Sequence, residues 1–561
     1  MRTLSRAPDT ELQSAHTQNL PAPDNQPTAL SGYNAYTSDL ALCEAAVWAG
    51  LDAADSRLTA YGAIAGSELY ALGFAANDHP PEPVFFDPQG RRTNTVDFHP
   101  AYHRIMSLAK EHGLHSLTWT TPTAEARLVR SLLFYLHYPF ESGTLCPLTM
   151  THAAIPALRE TPAVAAIWEP AILAPAYDPA DRPAQDKRGL TIGMGMTEKQ
   201  GGSDVRANTT RAVPLGSDAS GEAYAINGHK WFFSAPMSDA FLVLAQAPGG
   251  LTCFLLPRWR PDGTRNTLAL QRLKNKLGDH SNASSEVEFH DAWALRLGSE
   301  GRGVATIIQM VAETRLDCLL GSAALMRQAV SQALNHCRQR MAFGKTLLEQ
   351  PLMRNVLADL ALEAEAALWL ALRVARAFAA AQQSESEALL KRLATPIGKY
   401  WVCKRAVPLV NEAQECLGGD GYVEDFLLAR LYRQAPLNGL WEGSGNIQCL
   451  DILRALHKTP AALDALLTEC ATAREAEPRL DRHLHALVQD LKTAPDQEYA
   501  ARRTAGRMAI ALQASLLIQA APSAVAEAFV ASRLDGADGR AFGTLPDGLR
   551  IAELLERAMP R

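Results

Sequence analysis

Met194-Gly195-Met196-Thr197-Glu198-Lys199-Gln200-Gly201-Gly202-Ser203-Asp204 is the stretch on which the fold turns. It reads as a strand end running into a glycine turn that is followed by a hydroxyl and an acid. Gly202 has no Cβ, so a backbone there can approach a bulky anion. Exposed N–H groups and the Ser203 hydroxyl then suit a pyrophosphate. Taken alone, the same residues also read as an ordinary surface turn.

Two stretches downstream change that balance. Asn227-Gly228-His229-Lys230-Trp231-Phe232-Phe233-Ser234 carries three consecutive aromatics, which a strand places on both of its faces. One reading makes them a core ring and two covering rings. The other stacks Phe232 on a flat heterocycle with the Ser234 hydroxyl at its edge. The Asn227-Gly228 pair, between Tyr224-Ala225-Ile226 and Trp231-Phe232-Phe233, predicts a hairpin turn. The third stretch is Leu440-Trp441-Glu442-Gly443-Ser444-Gly445-Asn446-Ile447-Gln448. A glutamate before glycine is normally solvated. Here a Leu-Trp pair and a Gly-Ser-Gly turn flank it, surroundings that desolvate a carboxylate and ready it as a general base.

Around these stretches the periodicity changes three times. Residues 1–34 are rich in Pro, Ser, Thr, Asn and Gln and read as a loose arm. Helical spacing begins at Leu40, Leu42, Ala45, Ala46 and Ala49, with Ser38 or Asp39 as cap, and continues through 101–113, 124–136 and 151–159. From Gly189 short apolar strands follow, among them Phe241-Leu242-Val243-Leu244 and Cys253-Phe254-Leu255-Leu256. After Gly303 the helical period returns, with apolar residues from Val311 to Cys337 along one face of a long helix and further long runs over 353–381 and 395–417, and an Ala/Leu-rich helical segment runs from Thr459 to the end. The expected regions are an arm (1–34), a helical domain (35–187), a β domain (188–300), a helical bundle (301–458) and a helical extension (459–561).

In this order and at these distances, the three stretches resemble the signatures of the acyl-CoA dehydrogenase superfamily. The resemblance covers about Tyr33 to Lys458. It implies an α+β fold with an N-terminal helical domain, a middle β-sandwich and a four-helix bundle around FAD. By resemblance, Thr197 contacts the flavin ring, Ser203 the pyrophosphate, Phe232 packs on the isoalloxazine and Ser234 lies near flavin N5. Glu442 aligns with the catalytic base, and Ser444 and Asn446 with flavin or adenine contacts. The other motif residues, Met194, Gly195, Met196, Glu198, Gly202, Phe233, Trp441, Gly443 and Gly445, fall in the same cofactor cradle. Thr197, Ser203 and Arg315 fall on the substrate side. Arg340 and Phe343, in Arg340-Met341-Ala342-Phe343-Gly344, resemble the segment that reaches a neighbouring subunit's FAD, as does Gly419 in Gly418-Gly419-Asp420-Gly421-Tyr422. Sites shared in this way imply a homotetramer.

The chain departs from ordinary relatives at two places. Ala312 stands where an Asp precedes the Thr314-Arg315 pair, and Glu415 stands where the family has Gln. Both put acyl-CoA turnover in question. The narrower resemblance is to AidB-type alkylation-response flavoproteins, which share the extra C-terminal helices. That group is associated with duplex DNA through its C-terminal domain and with weak dehydrogenase activity. Arg454, Arg502, Arg503 and Arg507 are the candidate DNA contacts, with the last three near one helix face. A solvated helix face is the competing reading. On this view a chain cut near Lys458 still binds FAD if it remains assembled.

Composition bounds the alternatives. The net charge of -6 over 561 residues excludes a wholly electrostatic nucleic-acid binder. The nine cysteines form no C-x-x-C pair and no metal spacing, and suit a reducing cytoplasm. Met1–Thr10 is no secretory signal, and no run approaches the roughly 20 apolar residues of a membrane span. Three readings stay open: a DNA-associated AidB-type flavoprotein, a conventional dehydrogenase for a branched or bulky acyl-CoA, and a structural FAD-dependent DNA-binding protein without turnover.

Overall fold

The computed structural model describes residues 24–473, 476–534 and 541–561. The N-terminal region contains α1 (Leu40–Ala49), α2 (Ser56–Ile64), α3 (Tyr70–Asp78), a hairpin of β1 (Glu82–Phe86) and β2 (Arg92–Asp97), then α4 (Pro100–Glu111), α5 (Leu117–Thr120), α6 (Ala124–His137), α7 (Leu145–Arg159) and α8 (Pro162–Ile172). Asp39 caps α1 by accepting from the Leu42 N–H, as the sequence suggests. Residues 24–34 are not a loose arm. The Asn25 side chain makes two bonds with the Met341 backbone (2.7 and 2.8 Å), and Asn335 and Gln332 donate to the carbonyls of Thr28 and Leu30. Polar side chains without periodicity gave no sign that a groove on the bundle would satisfy that backbone. Residues 1–23 lie outside the described residues.

The β domain comprises β3 (Ile192–Thr197), β4 (Arg211–Asp218), β5 (Gly221–Ser234), β6 (Ala240–Ala247), β7 (Gly250–Pro257), β8 (Leu268–Leu273) and β9 (Ser284–Leu297). Pairings β3–β6, β6–β7, β7–β9, β9–β5 and β5–β3 close a ring, with β4 on β5 and β8 on β9. Strand alternation divides the apolar residues between two cores. Phe233, Phe241, Val243, Phe254, Val287 and Phe289 fill the interior. Leu242, Leu244, Cys253 and Leu255 point outward onto α7, α8 and the first turn of the bundle. This two-faced burial explains why β6 and β7 read as unbroken apolar runs.

The Asn227-Gly228 pair is not a hairpin turn. β5 runs unbroken through it, and the turn from β4 to β5 lies at Ala219-Ser220. Gly228 stands where the register of β5 against β9 slips, at φ +145°. A Cβ there would lie 2.7 Å from the Thr210 Cα, so glycine serves close backbone approach at a bulge.

The bundle consists of α9 (Gly303–Cys337), a small hairpin of β10 (Met341–Ala342) and β11 (Lys345–Thr346), then α10 (Pro351–Ala380), α11 (Glu385–Leu417), α12 (Leu427–Gln434) and α13 (Gly445–Lys458). The extension adds α14 (Ala461–Ala471), α15 (Pro478–Thr493), α16 (Gln497–Ala520), α17 (Ser523–Arg533) and α18 (Ile551–Ala558). It is not an appended module. Leu466, Leu512, Phe529 and Leu555 belong to the same continuous core as α9, α10 and the N-terminal helices. Buried ion pairs seal it. Arg533 pairs with Asp359 and with Glu363 (3.0 Å), and Arg557 pairs with Glu365 (2.9 Å) and Glu44 (2.6 Å). Burial pushes the Glu363 carboxyl up, and Arg405 and Arg533 together outweigh that and hold it low. A chain cut after Lys458 therefore loses core and counter-charges together, and is expected to aggregate rather than keep its flavin site. Removing one partner of such a pair costs about 3–5 kcal/mol. Arg533→Ala is predicted to lose stability on that scale in denaturant unfolding of the full chain. A loss below about 1 kcal/mol would show that the pair behaves like a surface bridge.

Candidate active site

Ser234 and Glu442, far apart in sequence, line one cavity. Its floor is Met194 and Ser234, which pair across β3 and β5. Its walls are mainly apolar side chains of α6 and α7, among them Phe134, Leu145, Cys146 and Met150. Trp441, Glu442 and Thr314 close the opposite side.

The loop carrying Glu442 is held from beneath. Lys399, on α11 and 1% exposed, donates to the carbonyls of Asn438, Trp441 and Gly443, each at 2.9 Å. The Gln448 amide donates to the Glu442 and Gly443 carbonyls at 3.0 and 2.8 Å, and Arg315 Nε to the Glu442 carbonyl at 3.1 Å. The backbone turns back on itself, with φ +55° at Glu442 and +92° at Gly443. A left-handed glutamate costs roughly 1–2 kcal/mol, which these bonds offset. The Glu442 carboxylate accepts from the Thr314 hydroxyl at 2.6 Å. Beside it on α9, burial pushes the Glu313 carboxyl up, but Arg127 and His152 prevail and hold it well below the usual carboxylate range.

Thr197 and Phe232 pair across β3 and β5, and Phe232 keeps 49% of its surface exposed. A Cβ on Gly202 would lie 2.4 Å from Thr197 Oγ1, and Ser203 is exposed beyond it. Ser444 begins α13 without spending its hydroxyl on the helix, and Gly445 and Asn446 form its first turn. Open hydroxyls at Ser203 and Ser444 and a half-exposed Phe232 ring, with the Lys274 ammonium 4.7 Å from its centroid, make a set that fits FAD. Met196 is half-buried against the outer core of the β domain, and Gly195 packs on Phe233.

Other assignments are corrected. Phe233 is fully buried inside the β domain, 4.2 Å from the Phe241 ring centroid, because alternation turns it away from Phe232. Its side chain is core, not cofactor contact. Glu198 is equally unavailable. It pairs with buried Lys230 at 2.8 Å and accepts from the Thr209 and Thr210 N–H groups. Burial raises its carboxyl, yet Lys230 and those bonds bring it down to about 2. Arg315 is not free for substrate, since it pairs with Asp451 at 2.7 Å while holding the Glu442 carbonyl. The DNA candidates do not form one open face. The Arg502 guanidinium lies 3.4 Å from where a Cβ on Gly445 would be and 5.9 Å from the Tyr400 ring centroid. Arg507 pairs with Asp490, and Arg503 lies 3.8 Å from the same acid. Arg454 lies 3.5 Å from Asp451.

Arg340, Phe343 and Gly419 do not line the Glu442 cavity. Arg340 donates to the Asn25 carbonyl at 2.6 Å, and Phe343 is 98% exposed. Glu415 is also exposed, with Asn411 at 3.4 Å. Lys399 and Gln448 were not singled out in the sequence. The available signal was a lysine among the buried spacing of Leu393, Ile397, Val402 and Cys403.

Comparison with known proteins agrees with this layout. Residues 25–179 match the adaptive response protein AidB N-terminal domain, 193–292 the acyl-CoA dehydrogenase middle domain and 301–457 the acyl-CoA dehydrogenase C-terminal domain. AidB of Escherichia coli (strain K12) is 46% identical over 92% of this chain and 94% of its own length. The crystal structure of Caenorhabditis elegans ACDH-11 in complex with C11-CoA superposes with a TM-score of 0.80 at 27% identity, covering 92% of this chain and 93% of that one. An acyl-CoA dehydrogenase complexed with FAD from Bacillus anthracis shares the fold, with a TM-score of 0.63 at 17% identity over 82% of this chain and 86% of that one. The chain therefore belongs to the acyl-CoA dehydrogenase family, with the AidB N-terminal domain, and is an FAD-dependent oxidoreductase.

Proposed function

We propose that this chain is an AidB-type flavoprotein that retains acyl-thioester dehydrogenation, with Glu442 removing the α-proton of a bound acyl-CoA. The observation that carries the reading is the Glu442 carboxylate, without an ion pair among the described residues, and the Ser234 edge of the β domain lining one apolar cavity. FAD, when bound, supplies the acceptor for a β-hydride. Thr197, Gly202, Ser203, Phe232, Ser444 and Asn446 would hold it. The chain's own part is positional. Lys399, Arg315 and Gln448 fix the loop, Thr314 orients the carboxylate, and the apolar walls exclude water from the reacting carbons. The cavity suits an uncharged acyl group. That a relative was crystallised with C11-CoA supports this ligand class.

We further propose association with duplex DNA in a response to alkylation, and a homotetramer in the cytoplasm. Similarity to AidB over nearly the whole chain supports the first. Phe343 and Tyr422, 98% and 84% exposed, support a contact with a second copy, and nine free thiols support a reducing compartment. The side chains of Arg454 and Arg503 are 61% and 62% exposed, and Arg502 is exposed as well, which supports all three as candidates for phosphate.

Two outcomes are expected. Anaerobic mixing with a panel of saturated acyl-CoAs should bleach the flavin of the FAD-loaded protein. Glu442→Gln should keep FAD and slow bleaching by at least about 10²-fold, the scale of losing a general base. Equal rates in the two proteins would remove Glu442 from the role. Duplex affinity should fall steeply with salt, and Arg454/Arg503→Ala should lower both the affinity and the salt slope. Unchanged binding by that variant would place the DNA site elsewhere.

A further inference from the structure

A second cavity lies back to back with the first. Ser234 faces the Glu442 cavity, and the next residue, Ala235, faces this one. On α7, Cys146 and Met150 line the first and Pro147 the second. The second cavity sits between α4, the segment around Tyr177 and the loop after β5.

Its walls are unusually aromatic. Phe98 and Tyr102 stack with centroids 4.2 Å apart, and His103 and Tyr177 stack at 5.9 Å. The Tyr177 hydroxyl and His103 Nδ1 satisfy each other at 3.0 Å. Met237 adds a polarizable sulfur, already fixed by the Val96 N–H at 3.1 Å. The two charged groups at the wall are both paired, Lys187 with Asp239 and Asp178 with Arg182, each at 2.6 Å. Burial holds the His103 imidazole below its usual pKa, so it too is neutral near pH 7. One polar group is left over. The Ser238 side-chain oxygen is buried, in a residue 3% exposed, without a partner. An unpaired buried hydroxyl carries a desolvation penalty that a ligand can relieve.

We propose that this cavity is a second small-molecule site, for a neutral planar aromatic or heteroaromatic ring whose one polar group meets Ser238. Edge-to-face contact with the lining rings and contact with sulfur supply the affinity for the ring. Ser238 supplies the selection between rings that carry a hydrogen-bonding group and those that do not. The site is distinct from the Glu442 cavity and stands whether or not Glu442 acts as a base.

The test uses the full-length FAD-loaded protein and two probes of one shape, indole and indene. Indole carries an N–H and indene does not. Binding is followed by ligand-observed NMR and calorimetry at fragment concentrations of about 1 mM. Indole is expected to bind the wild type more tightly than indene. Ser238→Ala should weaken indole about threefold to tenfold, the worth of one hydrogen bond, and leave indene unchanged. Met237→Trp, which fills the space, should remove both, and Glu442→Gln should affect neither. Retained flavin absorbance checks that each variant is folded. No binding of either probe to the wild type, equal indole affinity in Ser238→Ala, or loss of indole in Glu442→Gln would each overturn the proposal.

Discussion

The ammonium of Lys399 has three hydrogens, and each goes to a different carbonyl of the loop between α12 and α13. No carboxylate pairs with it among the described residues, so the charge is solvated by backbone alone. Inside a protein such bonds are stronger than in water, and leaving any of them unmade is expensive. The loop is therefore committed to one shape, in which Glu442 takes a left-handed conformation and its side chain is delivered to the cavity. Arg315 and Gln448 both donate to the Glu442 carbonyl, which Lys399 does not reach. The first turn of α13, the Ser444 hydroxyl and the Thr314 contact all follow from that commitment.

The three motifs were legible because their chemistry is local. A glycine turn, an aromatic strand and a Glu-Gly pair keep their meaning within a few residues. The fold class followed from the same signals and from changes of period, and α9 occupies the span its apolar spacing indicates. What failed was everything that depended on a distant partner. Glu198 reads like a site acid until Lys230 is found buried beside it. Arg315 reads like a substrate arginine until Asp451 claims it. Asn227-Gly228 reads like a turn because local propensity cannot show that β9 and Thr210 crowd the same backbone. Lys399 carried no motif at all, since its partners are main-chain atoms and main-chain atoms have no signature in a sequence.

The helical extension shows the same lesson at larger scale. Its Ala/Leu pattern indicated helices, but not that their apolar faces close the bundle. Arg533 and Arg557 reach acids on α10, and Arg327 on α9 holds both Asp39 and the Ala558 carbonyl. Asp39 and the end of α18 thus meet on the bundle. Arg502 is brought to the start of α13, beside the loop that carries Glu442. A change in the extension is therefore coupled to the site through packed side chains, and losses of activity in extension variants need a folding control before any other interpretation.

The central claim is that a fixed Glu442 carboxylate takes a proton from a thioester held in the apolar cavity. A 3-thiaacyl-CoA isolates that step, because its α-carbon can lose a proton while the sulfur at the β position bears no hydrogen to give up. Titrating the FAD-loaded protein with this ligand is predicted to produce a long-wavelength charge-transfer band, from the thioester enolate lying against the oxidised flavin. Glu442→Gln is predicted to bind the ligand without the band. A band of equal strength in Glu442→Gln, or ligand binding to the wild type with no band, would contradict the account.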